Sequence, residues 1–444
     1  MANRQISRWI DETPGPLYLA TDGSTTQHHG ESIIAIGLVN SQNQFCSIRN
    51  SVQIGKDARA QAETTMGALP TSCLSAIEGF IGDSARLQIA ASKLVSQAIN
   101  ELNETNKEHV FLTCGLHTGA SCGRKGTEAM SSEHKQFHRD LKLILSRRIN
   151  EGYRRESLKE QLEDRLIHFN RKVSGVSFKS DLGSRAGSEA ENGIALITYK
   201  ADVDVVLDTM VKKIEKENEG KRTKNRQQQL QRLKRVQNAL NPANWSETMI
   251  FLGSHILLWH GLARRIWKIE NHKRSVTEKK EDIEKCIARY EKVLNDNDAG
   301  DPYEKLIAVT IQADLLSVQK ECINRCGTEY LRANGVVKKK VNDYIRFSCD
   351  RALEKLKKDT LAYTQLPDSD NLIISTNRNC ESVFGCYKAY EHQFPSMSKE
   401  MIEILTRCSL NKVIFIIKFD KLRTKLFLRP ASSSGNLILT NRWI

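Results

Sequence analysis

The stretch from Tyr18 to Asn40, YLATDGSTTQHHGESIIAIGLVN, decides how the rest of the chain is read. An apolar, strand-like segment runs into Asp22, turns, and gives way to a second apolar segment. LYLATD and IIAIGLVN have the length and β-branched content of strands, and FCSIRNSVQIG alternates as a third strand before a turn at Gly55. Short links make the three an antiparallel meander. Taken alone, Asp22 with Gly23 and Ser24 is a chain reversal, and His28 and His29 are exposed loop residues.

The pattern then changes period. Asp57 to Gly67 reads as a helix, SAIEGFIGD as a strand ending on Asp83, Ser84 to Asn103 as a long amphipathic helix, and HVFLTCGLH as another buried strand. The last two strands each follow a helix, so right-handed crossovers add them in parallel and the sheet is mixed. Asp22 and Asp83 then both fall at C-terminal strand ends, where ligand sites form in such sheets.

From Arg124 to Thr364 the chain is charged, Leu/Ile-periodic and poor in strand signals, which predicts helices over Glu128–Asn150, Glu156–Phe169, Val203–Leu240, Trp245–Glu270, Thr277–Asn295, Pro302–Asn334 and Gly335–Leu361. Past Gln365, NLIISTNRNCESVFGCYKAYEHQFP reads as an extended segment and a helix capped by Ser375 or Thr376. Glu381 sits near its first turn, and Val383, Phe384 and Tyr387 face a core. The expected division is a lead over 1–15, a core over 16–123, a helical insertion over 124–364, a closing core segment over 365–410 and an atypical tail over 411–444.

With 444 residues and a hydrophobic share of 39%, the chain has enough material for a large core, and its eight prolines argue against low complexity. Its net charge of +14 points to an anionic partner. No apolar run approaches the roughly 20 residues of a membrane-spanning helix. MANRQISRWIDETPGP lacks the apolar stretch of a secretory signal, so the cysteines are expected to be thiols in a reducing compartment. The densest basic run, KKIEKENEGKRTKNRQQQLQRLKRV, holds Lys221, Arg222, Lys224, Arg226, Arg232, Lys234 and Arg235. These are either a solvated helix face or contacts to a phosphate backbone.

Three acids, Asp22, Asp83 and Glu381, make chemical sense together if they converge. Hard divalent cations take oxygen ligands, and two such ions about 4 Å apart serve phosphodiester cleavage. The ordered series TDGST, FIGDSARLQ, TCGLH, a long helical stretch and TNRNCESVFG, spanning residues 16–395, resembles the catalytic domain of hAT-superfamily DDE transposases.

The resemblance implies an α/β fold, a ribonuclease-H-like mixed sheet interrupted by a large all-helical insertion. It implies Asp22, Asp83 and Glu381 as catalytic, metal-binding acids, with two Mg²⁺ or Mn²⁺ ions as cofactors. Cys114 and His117 match the family's C-x-x-H pair. In the insertion, Arg185, Trp245, Trp259 and Trp267 stand where the family uses an Arg or Trp on flanking DNA, although the tryptophans read first as core residues. The implied partner is DNA of the transposon-end kind, the implied location the nucleus, and self-assembly into a homo-oligomer is open. Met1–Gly15 has no counterpart of the family's zinc-binding recognition domain, and the tail is unlike the family's dimerising segment. Both features favour an alternative, a domesticated and inactive copy that binds nucleic acid or serves as a scaffold.

Two local patterns carry competing readings. Cys114, His117, Cys122, His134 and His138 are soft donors suited to zinc, but their spacing fits no standard site, and packed side chains are the preferred account. DNDAGDPYE misses the register of an EF-hand loop and is better read as a lead into a helix with Pro302 at its first position.

Overall fold

The structure, a computed structural model, describes residues 2–13, 15–25, 32–42, 44–52, 57–146, 157–179, 187–218, 224–270, 274–372, 378–393, 397, 399–410, 416–417 and 437–438. Several expectations lie outside these residues: the loop with His28 and His29, Gly55, Arg185, Lys221, Arg222, the cap at Ser375 or Thr376, and nearly all of the tail.

In chain order the first elements are α1 (Ala2–Glu12), β1 (Leu17–Thr25), β2 (Ser32–Asn40), β3 (Phe45–Val52), α2 (Ala58–Met66), a 3-10 turn (Thr71–Ala76), β4 (Ile77–Gly82), α3 (Arg86–Asn103) and β5 (Val110–Thr113). Helices follow: α4 (Gly115–Glu128), α5 (Ser132–Ser146), α6 (Leu158–His168), α7 (Ser188–Thr198), α8 (Lys200–Asn218), α9 (Lys224–Leu240) and α10 (Pro242–Leu257). A π-helical turn (Leu258–Leu262) and a 3-10 segment (Ala263–Glu270) extend α10. Then come α11 (Val276–Leu294), α12 (Pro302–Ile311), α13 (Ser317–Arg332), α14 (Gly335–Thr364), α15 (Arg378–Gln393) and α16 (Lys399–Leu410), and last the two-residue strands β6 (Ile416–Ile417) and β7 (Leu437–Ile438).

The chain divides into two compact units. One comprises residues 1–117, 269–280 and 359–444, and the other 118–268 and 281–358.

The first unit is built on a mixed five-stranded sheet of order β3-β2-β1-β4-β5. β1 pairs antiparallel with β2 from Leu17↔Asn40 to Thr25↔Ser32, and β2 pairs antiparallel with β3. The turn between β2 and β3 is held by the fully buried Asn40, whose Oδ1 accepts the N–H groups of Gln42 and Gln44 at 3.1 and 2.7 Å. β4 joins β1 in parallel, and β5 joins β4 in parallel. One face carries Leu17, Leu19, Ile34, Ile36 and Leu38, packed with Ile6 and Ile10 of α1, Ala62 of α2, and Val95 and Ile99 of α3. The expected N-terminal lead is therefore a helix that covers the core.

β4 and β5 approach closely because Gly79 lacks a side chain: a Cβ there would lie 2.4 Å from the Val110 carbonyl oxygen. Gly79→Val should force the two strands apart and cost about 3 kcal/mol, read as a lower urea midpoint. An unchanged midpoint would mean that β5 yields freely.

α15 packs against β1, β2 and β3. Its buried residues Cys380, Val383, Phe384 and Tyr387 fall at the spacing of one helix face, which accounts for a helix here and for the face it buries. None of them belongs to the cluster on the α1/α3 side. α15 thus lies on the opposite face, to which strand alternation assigns Tyr18, Ala20 and Asp22.

The second unit is helical among its described residues. Asp301 caps α12 by accepting the Glu304 N–H at 3.0 Å while the Glu304 carboxylate accepts the Asp301 N–H at 3.2 Å, and Pro302 occupies the first turn. This is the helix lead expected for DNDAGDPYE. The helix expected over Pro302–Asn334 is two, because the Gln319 side chain accepts the Leu316 N–H and starts α13 afresh. The one expected over Val203–Leu240 is also two, α8 and α9. α10 begins at Pro242, ahead of Trp245, since the Asn241 side chain accepts the Asn244 N–H at 2.9 Å.

Candidate active site

β1 and β4 are parallel neighbours whose ladder ends at the pair Ala20↔Ile81. Asp22 and Asp83 each stand two residues beyond that pair, so the register brings both carboxylates to one end of the same two strands. β1 does not end on Asp22, as the sequence suggested. Its antiparallel ladder with β2 carries it on to Thr25, and only its parallel partner stops. Asp22 is therefore held in an extended, hydrogen-bonded backbone opposite Ala35, and it is buried, with 9% of its surface exposed. Its Oδ1 accepts the Gly23 N–H at 2.8 Å. Asp83 follows β4 directly, is half-buried, and accepts the Ala85 N–H at 3.1 Å through Oδ1.

One side chain ties these strand ends together. Gln88, from the first turn of α3 and 5% exposed, accepts the Asp83 N–H at 2.8 Å and donates its Nε2 to the Thr21 carbonyl. A buried amide with both ends used locks the residue before Asp22 to Asp83 itself. No sequence signal singles out Gln88 among the glutamines, since its role depends on α3 returning over β1. Gln88→Leu should leave that N–H and carbonyl without partners and lower stability by about 2 kcal/mol. An unaltered denaturation midpoint would contradict the lock.

Glu381 falls on α15, the helix packed on the Asp22 face of the sheet; its side chain lies outside what the structure describes. Asp22, Asp83 and Glu381 belong to one compact unit.

Cys114 is fully buried just past β5, its N–H donating to the Gly82 carbonyl at 2.7 Å. The strand expected to run through His117 stops at Thr113, and Gly115 opens α4. His117 thus lies in the first helical turn, half-buried, with its Nδ1 lacking a hydrogen-bond partner. Among the described residues no group of three or more His, Cys, Asp or Glu side chains is arranged to hold a metal ion. Cys122 donates to the Ala352 carbonyl at 3.4 Å, His134 packs on Phe251 with ring centroids 3.6 Å apart, and His138 meets His255 at 4.8 Å. These are packed side chains. The cysteines among the described residues are free thiols.

The basic run is partly committed to carboxylates. Arg235 grips the fully buried Asp140 of α5 with two bonds of 2.7 and 3.2 Å, and Arg232 lies 3.9 Å from the same carboxylate. Lys234 pairs with Glu215 at 2.6 Å. Lys224 is exposed and Arg226 half-buried. Trp259 is buried and meets Trp267 edge-on at 5.5 Å, while Trp267 keeps 38% of its surface exposed. Trp245 is half-buried beneath the Lys200 ammonium, 5.1 Å from its ring centroid.

No protein-family model matches the chain, and none of the curated proteins does.

Proposed function

We propose that the sheet-bearing unit is a ribonuclease-H-like core of the hAT transposase kind, and that the protein cleaves DNA strands and transfers them. The observation that carries this reading is the register that sets Asp22 and Asp83 side by side at the ends of two parallel strands, on a sheet face covered by the helix of Glu381. Two carboxylates in that position suit hard divalent cations, whose preferred ligands are oxygens. Asp22, Asp83 and Glu381 would hold two Mg²⁺ or Mn²⁺ ions. When bound, such ions supply an activated water and a counter-charge for the leaving oxygen.

The chain's own residues do the positioning. Burial of Asp22 and its bond from the Gly23 N–H fix that carboxylate, and the Gln88 amide keeps Asp83 level with it. DNA is the substrate in this reading, in keeping with the net charge of +14, and the nucleus is the place of action.

A second reading rests on that charge alone: a transposase-derived protein that binds nucleic acid without cutting it. One assay separates the two. The first predicts Mg²⁺- or Mn²⁺-dependent nicking of a DNA end or hairpin by the parent chain and none by the Asp22→Asn, Asp83→Asn, Glu381→Gln triple variant. Equal nicking by parent and triple variant would refute the assignment. Salt-sensitive binding with no divalent-dependent nicking would establish the second reading instead.

A further inference from the structure

Arg265 lies in the 3-10 segment Ala263–Glu270, directly after the π-helical turn. Its Nε and Nη2 are both buried and neither has a hydrogen-bond partner. These two N–H groups share one edge of the guanidinium and point the same way, which is the fork that meets a carboxylate or phosphate with two parallel bonds.

Elsewhere in this unit arginines meet carboxylates. Arg235 closes on Asp140, and Arg165 and Arg171 share Asp202 at 2.8 and 3.1 Å. What stands beside Arg265 is another cation, Arg289 of α11, together with the Cys286 thiol; burial and Arg289 together push the Arg265 pKa down. The neighbouring Arg264 is exposed and donates to Nδ1 of buried His260 at 3.3 Å, which leaves the His260 proton on Nε2, where it has no hydrogen-bond partner.

Among the described residues no carboxylate bonds the fork, and a buried unused fork beside a second cation is unfavourable without a counter-anion. A tetrahedral oxyanion has oxygens enough to fill the fork and reach the second guanidinium at once. We infer that the Nε–Nη2 edge of Arg265, with Arg289 beside it, is a receptor for a phosphate-type oxyanion. Arg265 and Arg289 are each half-buried as residues, whereas the Nε and Nη2 atoms themselves have no exposed surface, so a local opening must precede binding. The phosphate can belong to a nucleic-acid backbone or to a free phosphate. The inference is independent of the carboxylate site.

The test uses the full chain, melted in inorganic phosphate and in chloride at equal ionic strength, with calorimetric titration of phosphate. Phosphate should raise the melting temperature of the parent saturably. Arg265→Lys, which keeps the charge and loses the fork, and Arg289→Gln should each weaken phosphate binding about tenfold or more. In a second arm the proteins bind a short DNA duplex over a salt series. If the phosphate is nucleic-acid backbone, inorganic phosphate competes with DNA and Arg265→Lys lowers the salt slope by about one. If it is free phosphate, DNA affinity is the same in parent and variant while the first arm stands. The inference is overturned if phosphate and chloride give the parent the same melting temperature and Arg265→Lys binds DNA as the parent does. Should the Arg265 variants not fold, the parent's phosphate response and its loss in Arg289→Gln decide.

Discussion

Asp22→Asn should lower divalent-dependent DNA nicking by about a thousandfold or more while leaving the protein folded. The substitution keeps the shape of the side chain and the Oδ1 that accepts the Gly23 N–H, so the β1–β2 ladder has no reason to change. It removes the negative charge and one hard ligand. Asp83→Asn is the matched case, because its amide oxygen can still accept the Ala85 N–H. If the carboxylates act as a unit, the double and triple variants should be little worse than either single one. Asp57→Asn is the control: Asp57 caps α2 by accepting the Ala60 N–H at 2.8 Å, a task Asn performs equally well, and nicking should be unchanged. A parent-like rate in Asp22→Asn with parent-like melting would remove Asp22 from the chemistry.

The second large effect is acid sensitivity of the helical unit. Burial pushes His138 down to about 4, with the neighbouring His134 and Lys142 opposing its protonation and Glu189 favouring it. His260 is likewise pushed down to about 4, by burial and then by Arg264. His255 is held well below its ordinary value by burial, with His138, His134 and Lys142 adding to the effect. In the unfolded chain these imidazoles take up protons near pH 6.5, so the unfolded state binds more protons below that pH. The stabilisation is complete above pH 6.5 and is lost as pH falls from there towards 4. A fall of that width is worth about 3 kcal/mol for each of His138 and His260. The urea midpoint should therefore drop steeply between pH 7.5 and pH 4.5, and less steeply in His138→Gln. A midpoint that stays level over that interval would show that the histidines are not neutral in the folded protein.

Much of the sheet is legible in the chain because its signals are local. β1, β2 and β3 announce themselves by β-branched runs and alternation, and α2 and α3 by helical spacing. The order in which the strands lie is not local. Nothing in LYLATD or FIGD says that β4 adds beside β1, and that adjacency brings Asp22 to Asp83. The ends of elements fail for the same reason. β1 outlasts its expected end because β2 continues to pair with it, and the buried run HVFLTCGLH hides a strand-to-helix change at Gly115 that hydrophobicity cannot mark. Arg235 looks like a free phosphate contact until Asp140, nearly a hundred residues earlier, is seen to fill its fork. Conversely, the unfilled fork of Arg265 leaves no trace in the sequence, since it is defined by what fails to reach it.

The most direct test of the central claim is a crystal structure of the full chain grown with Mn²⁺, with the metal located by its anomalous scattering. Two Mn²⁺ sites about 4 Å apart, ligated by Asp22, Asp83 and Glu381, are the expected result. Ordered carboxylates of Asp22 and Asp83 with no Mn²⁺ between them, and Glu381 turned to solvent, would contradict it.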